Sequence, residues 1–180
     1  MMHLALNPEV QEKCYKEIQG LGDKEPSVDD SSKLPYTKAT IMEIQRLSRV
    51  AQGSLIHRLL KDTKVNQYDF QAGQHFVINV EKFLMDHTEF PEPEKLIPER
   101  FLDSTGQQIL KKDYFVPFGI GKRICMGESL AKNEIFIFLV RILQKLKIEI
   151  VANEIPNPEN FVSGITRIPN AFKIKVLERK

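Results

Sequence analysis

The sequence predicts an α+β fold, mainly α with small β-sheets. Three observations carry that expectation. After Cys125, apolar residues recur three and four apart (Leu130, Ala131, Ile135, Phe138, Leu139, Ile142, Leu143, Leu146), the spacing of a helix with one buried face. A second helix is predicted over Tyr36–Ser48, opened by Leu34-Pro35, because proline suits the first helical turn, where its missing N–H goes unused. Alternating stretches are short and bounded by turn residues, in Lys64–Val80 and again around Phe172, Ile174 and Val176, which argues for small sheets.

The remaining elements follow in chain order. Residues 1–20 read as the second half of a helix, with Pro8 near its start or at a joint; Asn7-Pro8-Glu9 is a helix-start signal. Gly20–Leu34 carries Gly, Pro, Asp and Ser and reads as a loop. Val50–Leu60 leads into a short strand containing His57. A turn is expected at Ala72-Gly73, and His75–Val80 is the clearest strand. Glu81–His87 suits a short helix. Phe90–Pro98 cannot be regular, because each of its three prolines removes a donor and keeps its predecessor extended. Leu102–Lys112 is a polar turn with Gly106. The helix after Cys125 runs to about Leu146, Lys147–Val151 starts a strand, Asn153–Asn160 is a proline-rich loop, and Gly164–Pro169 is a hairpin tip.

Bulk properties bound the function. A chain of 180 residues has room for one domain with a real core. Its net charge of +2, with no basic block interleaved with aromatics, gives no sign of nucleic-acid binding. Two cysteines, Cys14 and Cys125, make no disulfide framework and permit a reducing compartment. The longest wholly apolar run, Ile135–Val140, is far short of a membrane span, and no signal peptide is recognisable at the N-terminus.

The chemistry concentrates in Phe118–Gly127, which reads Phe-Gly-Ile-Gly-Lys-Arg-Ile-Cys-Met-Gly. Cys125 lies where a glycine-rich loop enters a helix. Unpaired backbone N–H groups and the positive end of the helix dipole favour a thiolate at such a place. Gly119 and Gly121 let the backbone take positive φ and let a flat ligand approach closely, and Arg123 can reach an anionic group nearby. A lone thiolate without a second Cys or His at metal spacing is a poor zinc site. It is a good axial ligand for haem iron, onto which it pushes electron density. A C-x-x-C motif or clustered His, which a thiol-redox or zinc module needs, is missing. The bland alternative for any single cysteine is a buried structural thiol.

The decapeptide fits F-x-x-G-x-R-x-C-x-G at every fixed position, and this resembles the haem-binding loop of the cytochrome P-450 family. Two further signatures stand in the expected order. Glu43 and Arg46 form Glu-x-x-Arg on one helix face. By spacing alone they are as well explained by a solvated ion pair of little energetic worth; the resemblance implies a buried structural network completed by Arg100, in Pro98-Glu99-Arg100-Phe101. The likeness covers essentially the whole chain and points to the animal microsomal type. Residues 1–180 are therefore expected to be a single partial domain, the C-terminal haem-binding part of the fold. The chain is expected to begin mid-family, without the membrane anchor or the long helix over the distal haem face.

What the resemblance implies is specific. The activity would be a haem-thiolate monooxygenase inserting one oxygen atom of O2 into an apolar organic substrate, with haem b as cofactor and Cys125 as proximal iron ligand. Phe118 would shield the thiolate, while Gly119, Gly121, Gly127 and Ala131 would line the cofactor. Arg123 and His57 would hold propionates, although an isolated His in an apolar strand is also a common core residue. Isoleucine stands at position 56, where the family often has proline before the matching His. Val50, Leu55, Ile56 and Ile165 would border the substrate pocket; the hairpin carrying Ile165 could equally just close a sheet. Electrons would come from NADPH-cytochrome P-450 reductase, with Lys111, Lys112, Lys122 and Lys132 making the proximal surface basic. The family implies an endoplasmic reticulum membrane location. The competing expectation is a catalytically incomplete fragment that binds haem weakly or not at all, with the apolar face of the helix after Cys125 left uncovered.

Overall fold

The computed structural model describes residues 1–179. Helix α1 (Met2–Leu6) and helix α2 (Pro8–Gln19) meet at Asn7, whose Nδ2 donates to the His3 carbonyl at 2.8 Å. Pro8 opens α2, so the expected joint falls at the proline. Val10, Cys14 and Ile18 recur every four residues and form its buried stripe. Helix α3 (Pro35–Ser48) begins without a cap of its own. Glu17 of α2 supplies one instead: its carboxylate accepts from the N–H groups of Tyr36 and Thr37, each at 2.8 Å. A carboxylate at a helix N-terminus meets both the unpaired donors and the dipole.

Helix α5 (Glu128–Lys145) packs Phe136, Leu139, Val140 and Leu143 against α2 and α3, in a core shared with Leu4, Ile18, Leu34, Ile41 and Leu47. Strand β5 (Leu146–Ile150) follows it directly and pairs antiparallel with β8 (Ile174–Glu178). Gln11 ties this sheet to the helices. Its Nε2 donates to the carbonyls of Leu4 and Ile148 at 3.0 and 2.8 Å, and its Oε1 accepts from the Ile148 N–H at 2.8 Å. A second cluster, Ala39, Phe90, Phe101 and Leu102, lies on the other side of α3.

The other strands are short antiparallel pairs. They are β1 (His57–Arg58) with β4 (His75–Phe76), β2 (Thr63–Val65) with β3 (Tyr68–Phe70), and β6 (Phe161–Ser163) with β7 (Arg167–Pro169). Helix α4 (Val80–Leu84) lies between β4 and the proline-rich stretch. The fold is thus α+β, as the sequence predicts. Among the described residues no helix is long and apolar enough to cross a membrane.

Several boundaries differ from expectation for identifiable reasons. The strand expected over His75–Val80 stops at Phe76, because Asn79 is the N-cap of α4 and its Oδ1 accepts from the Lys82 N–H at 3.0 Å. The stretch Gly20–Leu34 is not all loop. Val28–Lys33 is a 3-10 turn begun by a Ser27/Asp30 capping box, in which Asp30 Oδ2 accepts from Ser27 N at 3.0 Å. On α5 only part of the periodic set is buried: Leu130 and Phe138 are each 63% exposed.

Candidate functional site

The Cys loop is built by its backbone. Gly119 (φ +80°) and Gly121 (φ +71°) lie in the left-handed region, with open space where a Cβ would stand. Any L side chain there would strain the turn. The 3-10 turn Gly121–Arg123 follows, and the loop closes where Cys125 N–H donates to the Phe118 carbonyl at 3.0 Å. The Cys125 carbonyl accepts from Glu128 N–H at 3.3 Å, and Gly127 accepts from Ala131 N–H at 2.9 Å, so α5 grows straight out of the loop. A Cβ on Gly127 would sit 3.8 Å from Cys125 Sγ, in ordinary contact.

The two thiols contrast sharply. Cys125 is exposed. Cys14 is fully buried and bonded to Thr40 Oγ1 at 3.3 Å, and burial pushes its pKa up to about 11. Only Cys125 can offer a thiolate to an outside ligand. Beside it, Ile120 and Ile124 are exposed apolar side chains. The Lys132 ammonium lies 5.5 Å from the centre of the Phe118 ring and pairs with Glu128. Arg123 is exposed and makes no ion pair or side-chain hydrogen bond among the described residues.

The residues suit an iron porphyrin. Porphyrin supplies four ring nitrogens, so the protein need bring only one axial donor, and a single exposed thiol on a glycine-opened loop is such a donor. The flanking apolar side chains suit a flat apolar ring. Arg123 is a free cation for an anionic substituent.

Between α3 and the proline-rich coil, Glu43, Arg46 and Arg100 form one hydrogen-bonded ion network. Arg46 Nε and Nη2 each donate to Glu43 at 2.8 Å, and Arg100 Nε donates to Glu43 Oε1 at 3.0 Å. The Glu43 and Arg46 side chains are fully buried. Arg46 also donates to the carbonyls of Leu84 at 2.8 Å and Pro93 at 2.7 Å, and its guanidinium lies 4.9 Å from the Phe90 ring centre. The prolines thus create a coil whose free carbonyls the arginine satisfies.

Other singled-out residues are more dispersed. His57 is half-buried and stacks on Phe76 at 5.3 Å between ring centres. Val50, Leu55, Ile56 and Ile165 are 54, 77, 72 and 88% exposed and do not enclose a pocket among themselves. The Val50 carbonyl does accept from Arg167 N–H at 2.8 Å, which sets the hairpin bearing Ile165 beside the segment after α3. Sequence spacing gives no sign of a second charged cluster at Arg49, Glu81, Glu159 and Arg167. Its members come from four separate segments.

Fold and site define a mainly helical α+β chain that presents an exposed thiol at a glycine loop and ties α3 to the proline-rich coil through a buried Glu–Arg–Arg network. The family model described as cytochrome P-450 matches residues 1–176, and the chain belongs to that family. It is 36% identical over 181 residues to human cytochrome P-450 2U1, covering 99% of this chain and 33% of that protein. To mouse cytochrome P-450 2C44 it is 37% identical over 182 residues, covering 99% and 37%. To farnesoate epoxidase of Bombyx mori it is 37% identical over 183 residues, covering 100% and 36%. The chain spans about a third of the length of these curated relatives.

Proposed function

We propose that residues 1–180 form one unit, the haem-binding part of a haem-thiolate monooxygenase that inserts one oxygen atom of O2 into an apolar organic substrate. The observation that carries this is the exposed Cys125 thiol on a loop pinned to the Phe118 carbonyl at the entrance of α5. Bound haem b would supply oxygen activation, with Cys125 as the axial donor. Phe118 would keep water from the sulfur, and the exposed guanidinium of Arg123 would hold a propionate, with His57 as second propionate partner. Gly119, Gly121, Gly127 and Ala131 would leave room for the ring. The network of Glu43, Arg46 and Arg100 would keep α3 and the proline-rich coil fixed beneath the site. Val50, Leu55, Ile56 and Ile165 would offer apolar surface to the substrate. Farnesoate epoxidase, by name an enzyme acting on an apolar isoprenoid acid, supports that substrate class.

The electron donor would be NADPH-cytochrome P-450 reductase, meeting the exposed Lys111 and Lys122 beside the loop. Lys132 is partly neutralised by Glu128 and would contribute less. An endoplasmic reticulum membrane location completes the proposal, as the resemblance to the microsomal type implies. One observation favours a second reading, in which the isolated chain binds haem weakly or not at all: Leu130, Ile135 and Phe138 leave an apolar face of α5 exposed.

Haem reconstitution, followed by reduction and carbon monoxide, separates the two. The red-shifted Soret band of a thiolate adduct is expected, and its loss in Cys125→Ser. A free-haem or histidine-like spectrum in the unmutated chain favours the second reading, and a thiolate band surviving Cys125→Ser removes the first.

A further inference from the structure

The cluster centred on Arg49 and Arg167 joins the end of α3, α4 and the β6–β7 hairpin through side chains, beside the backbone bond from Arg167 N–H to the Val50 carbonyl. Arg49 caps the C-terminus of α3 in the left-handed region (φ 43°), an uncommon place for a long side chain, yet its side chain is only 6% exposed. Its Nη1 donates to Glu81 Oε1 at 2.9 Å and its Nη2 to Glu159 Oε1 at 2.6 Å. Arg167, the first residue of β7, donates from Nη2 to Glu159 Oε2 at 3.1 Å, and its Nη1 lies 3.7 Å from Glu81 Oε1. Its guanidinium lies 3.3 Å from the Phe161 ring centre. Gln52 extends the cluster, donating to Glu81 Oε2 at 3.1 Å and accepting from Ser163 Oγ at 3.0 Å.

Two cations and two anions therefore neutralise one another at the meeting point of α3, the segment after it, α4 and the β6–β7 hairpin. The hairpin needs such help. Its strands are three residues each, and an isolated two-stranded hairpin is marginal in water. The exposed side chains of Val50, Leu55, Ile56 and Ile165 bury too little apolar surface to fix the two segments. Directional, charge-assisted hydrogen bonds from two buried guanidiniums to the partly exposed Glu81 and Glu159 can.

We propose that Arg49, Glu81, Glu159 and Arg167 are positioning residues that lock the hairpin tip Gly164–Thr166 to the segment Val50–Ile56. The two apolar faces then move as one body and set the bulk of ligand accepted between them. That these faces meet substrate rests on the function proposed above; the lock itself does not.

Hydrogen–deuterium exchange on the full chain tests the lock. Arg167→Met is expected to speed exchange at least tenfold in residues 50–54 as well as in 161–169, leaving 136–143 in α5 unchanged. Glu159→Gln, at a half-exposed carboxylate, is expected to give the same pattern without threatening the fold. The double variant should do no more than the larger single, and Arg167→Lys should restore part of the protection. Faster exchange confined to the hairpin, or additive effects, would overturn the lock. In the haem-loaded chain, Arg167→Met should change binding of 4-phenylimidazole at least threefold and leave that of imidazole unaltered. An unchanged ratio with the lock intact removes the specificity claim. Failure of either azole to give a spectrum, with the exchange result intact, counts against the haem function and not against the lock.

Discussion

Arg46 holds Glu43 through two parallel hydrogen bonds, Nε to Oε2 and Nη2 to Oε1, both 2.8 Å long, with both side chains fully buried. The fork geometry is what a guanidinium offers and an ammonium does not. Arg46→Lys would break the pair and strand the carbonyls of Leu84 and Pro93, which Arg46 also satisfies. Losing one partner of a buried, hydrogen-bonded pair costs about 3–5 kcal/mol, a large share of the stability of a chain this size. Arg46→Lys and Glu43→Gln should therefore leave the chain unfolded or shift its urea midpoint sharply down. Arg100→Lys should cost about 1–2 kcal/mol, because Arg100 gives Glu43 a single bond from a slightly more open position. Equal midpoints for Arg46→Lys and Arg100→Lys would contradict this ranking.

The two cysteines should react very differently. Cys14 is sealed from solvent, and its raised pKa of about 11 leaves almost no thiolate at neutral pH. Cys125 is open. Iodoacetamide on the native chain, read by peptide mass spectrometry, should label Cys125 within minutes and Cys14 only after unfolding. Added haem should slow labelling of Cys125 and leave Cys14 as before. Labelling of Cys125 that ignores haem would argue against its role as axial ligand.

His3 makes stability depend on pH. Burial is the first cause that holds its pKa down to about 4, followed by the chain's amino group and the Arg49 guanidinium. The folded-state value lies below the ordinary 6.5, so the folded chain favours neutral imidazole. Its contribution is complete above pH 6.5 and is lost as the pH falls toward 4, because the unfolded chain takes up the proton first. Allowing for partial exposure, the loss is about 1–2 kcal/mol. Urea midpoints measured between pH 7.5 and 4.5 should fall, and His3→Gln should flatten that dependence. A parallel decline in the variant would place the titration elsewhere.

The parts of this structure that were legible in the sequence are those fixed by local chemistry. Proline at position 35 marks the start of α3, the periodic face announces α5, and the spaced prolines keep Phe90–Ile97 irregular, although Pro98 itself opens the 3-10 turn Pro98–Phe101. The Glu43–Arg46 spacing put two charges on one helix face. Their burial followed from distant elements, Leu84 and Pro93, that no local pattern names. The capping of α3 by Glu17 of α2 is likewise non-local. So is the Arg49–Glu159 contact, which spans 110 residues. The apolar stretch continues past Phe76 through Val77 and Ile78 and so reads as strand, whereas Asn79 has already committed the backbone to the next helix. The periodic face of α5 showed which residues could be buried, and packing against α2 and α3 decided which of them were.

The outward face of α5 gives the last expectation. Leu130, Ile135 and Phe138 repeat at helical spacing on the side away from Phe136, Val140 and Leu143, and they are 63, 39 and 63% exposed. Scattered exposed leucines need no explanation, but a stripe on one helix face is a surface that water disfavours. Ordinary surface chemistry would place charged residues there, and instead the sequence runs Ile-Phe-Ile-Phe-Leu-Val over positions 135–140. The isolated chain should bind an environment-sensitive apolar dye and self-associate as its concentration rises. Phe138→Ser and Leu130→Gln together should reduce both effects at least twofold. They should leave the thermal midpoint within a few degrees, because neither side chain contributes much to the core. Dye fluorescence and sedimentation velocity read the two effects separately. If both persist in the double variant, the sticky surface lies elsewhere, with the exposed Ile120, Ile124 and Met126 of the Cys loop the next to change.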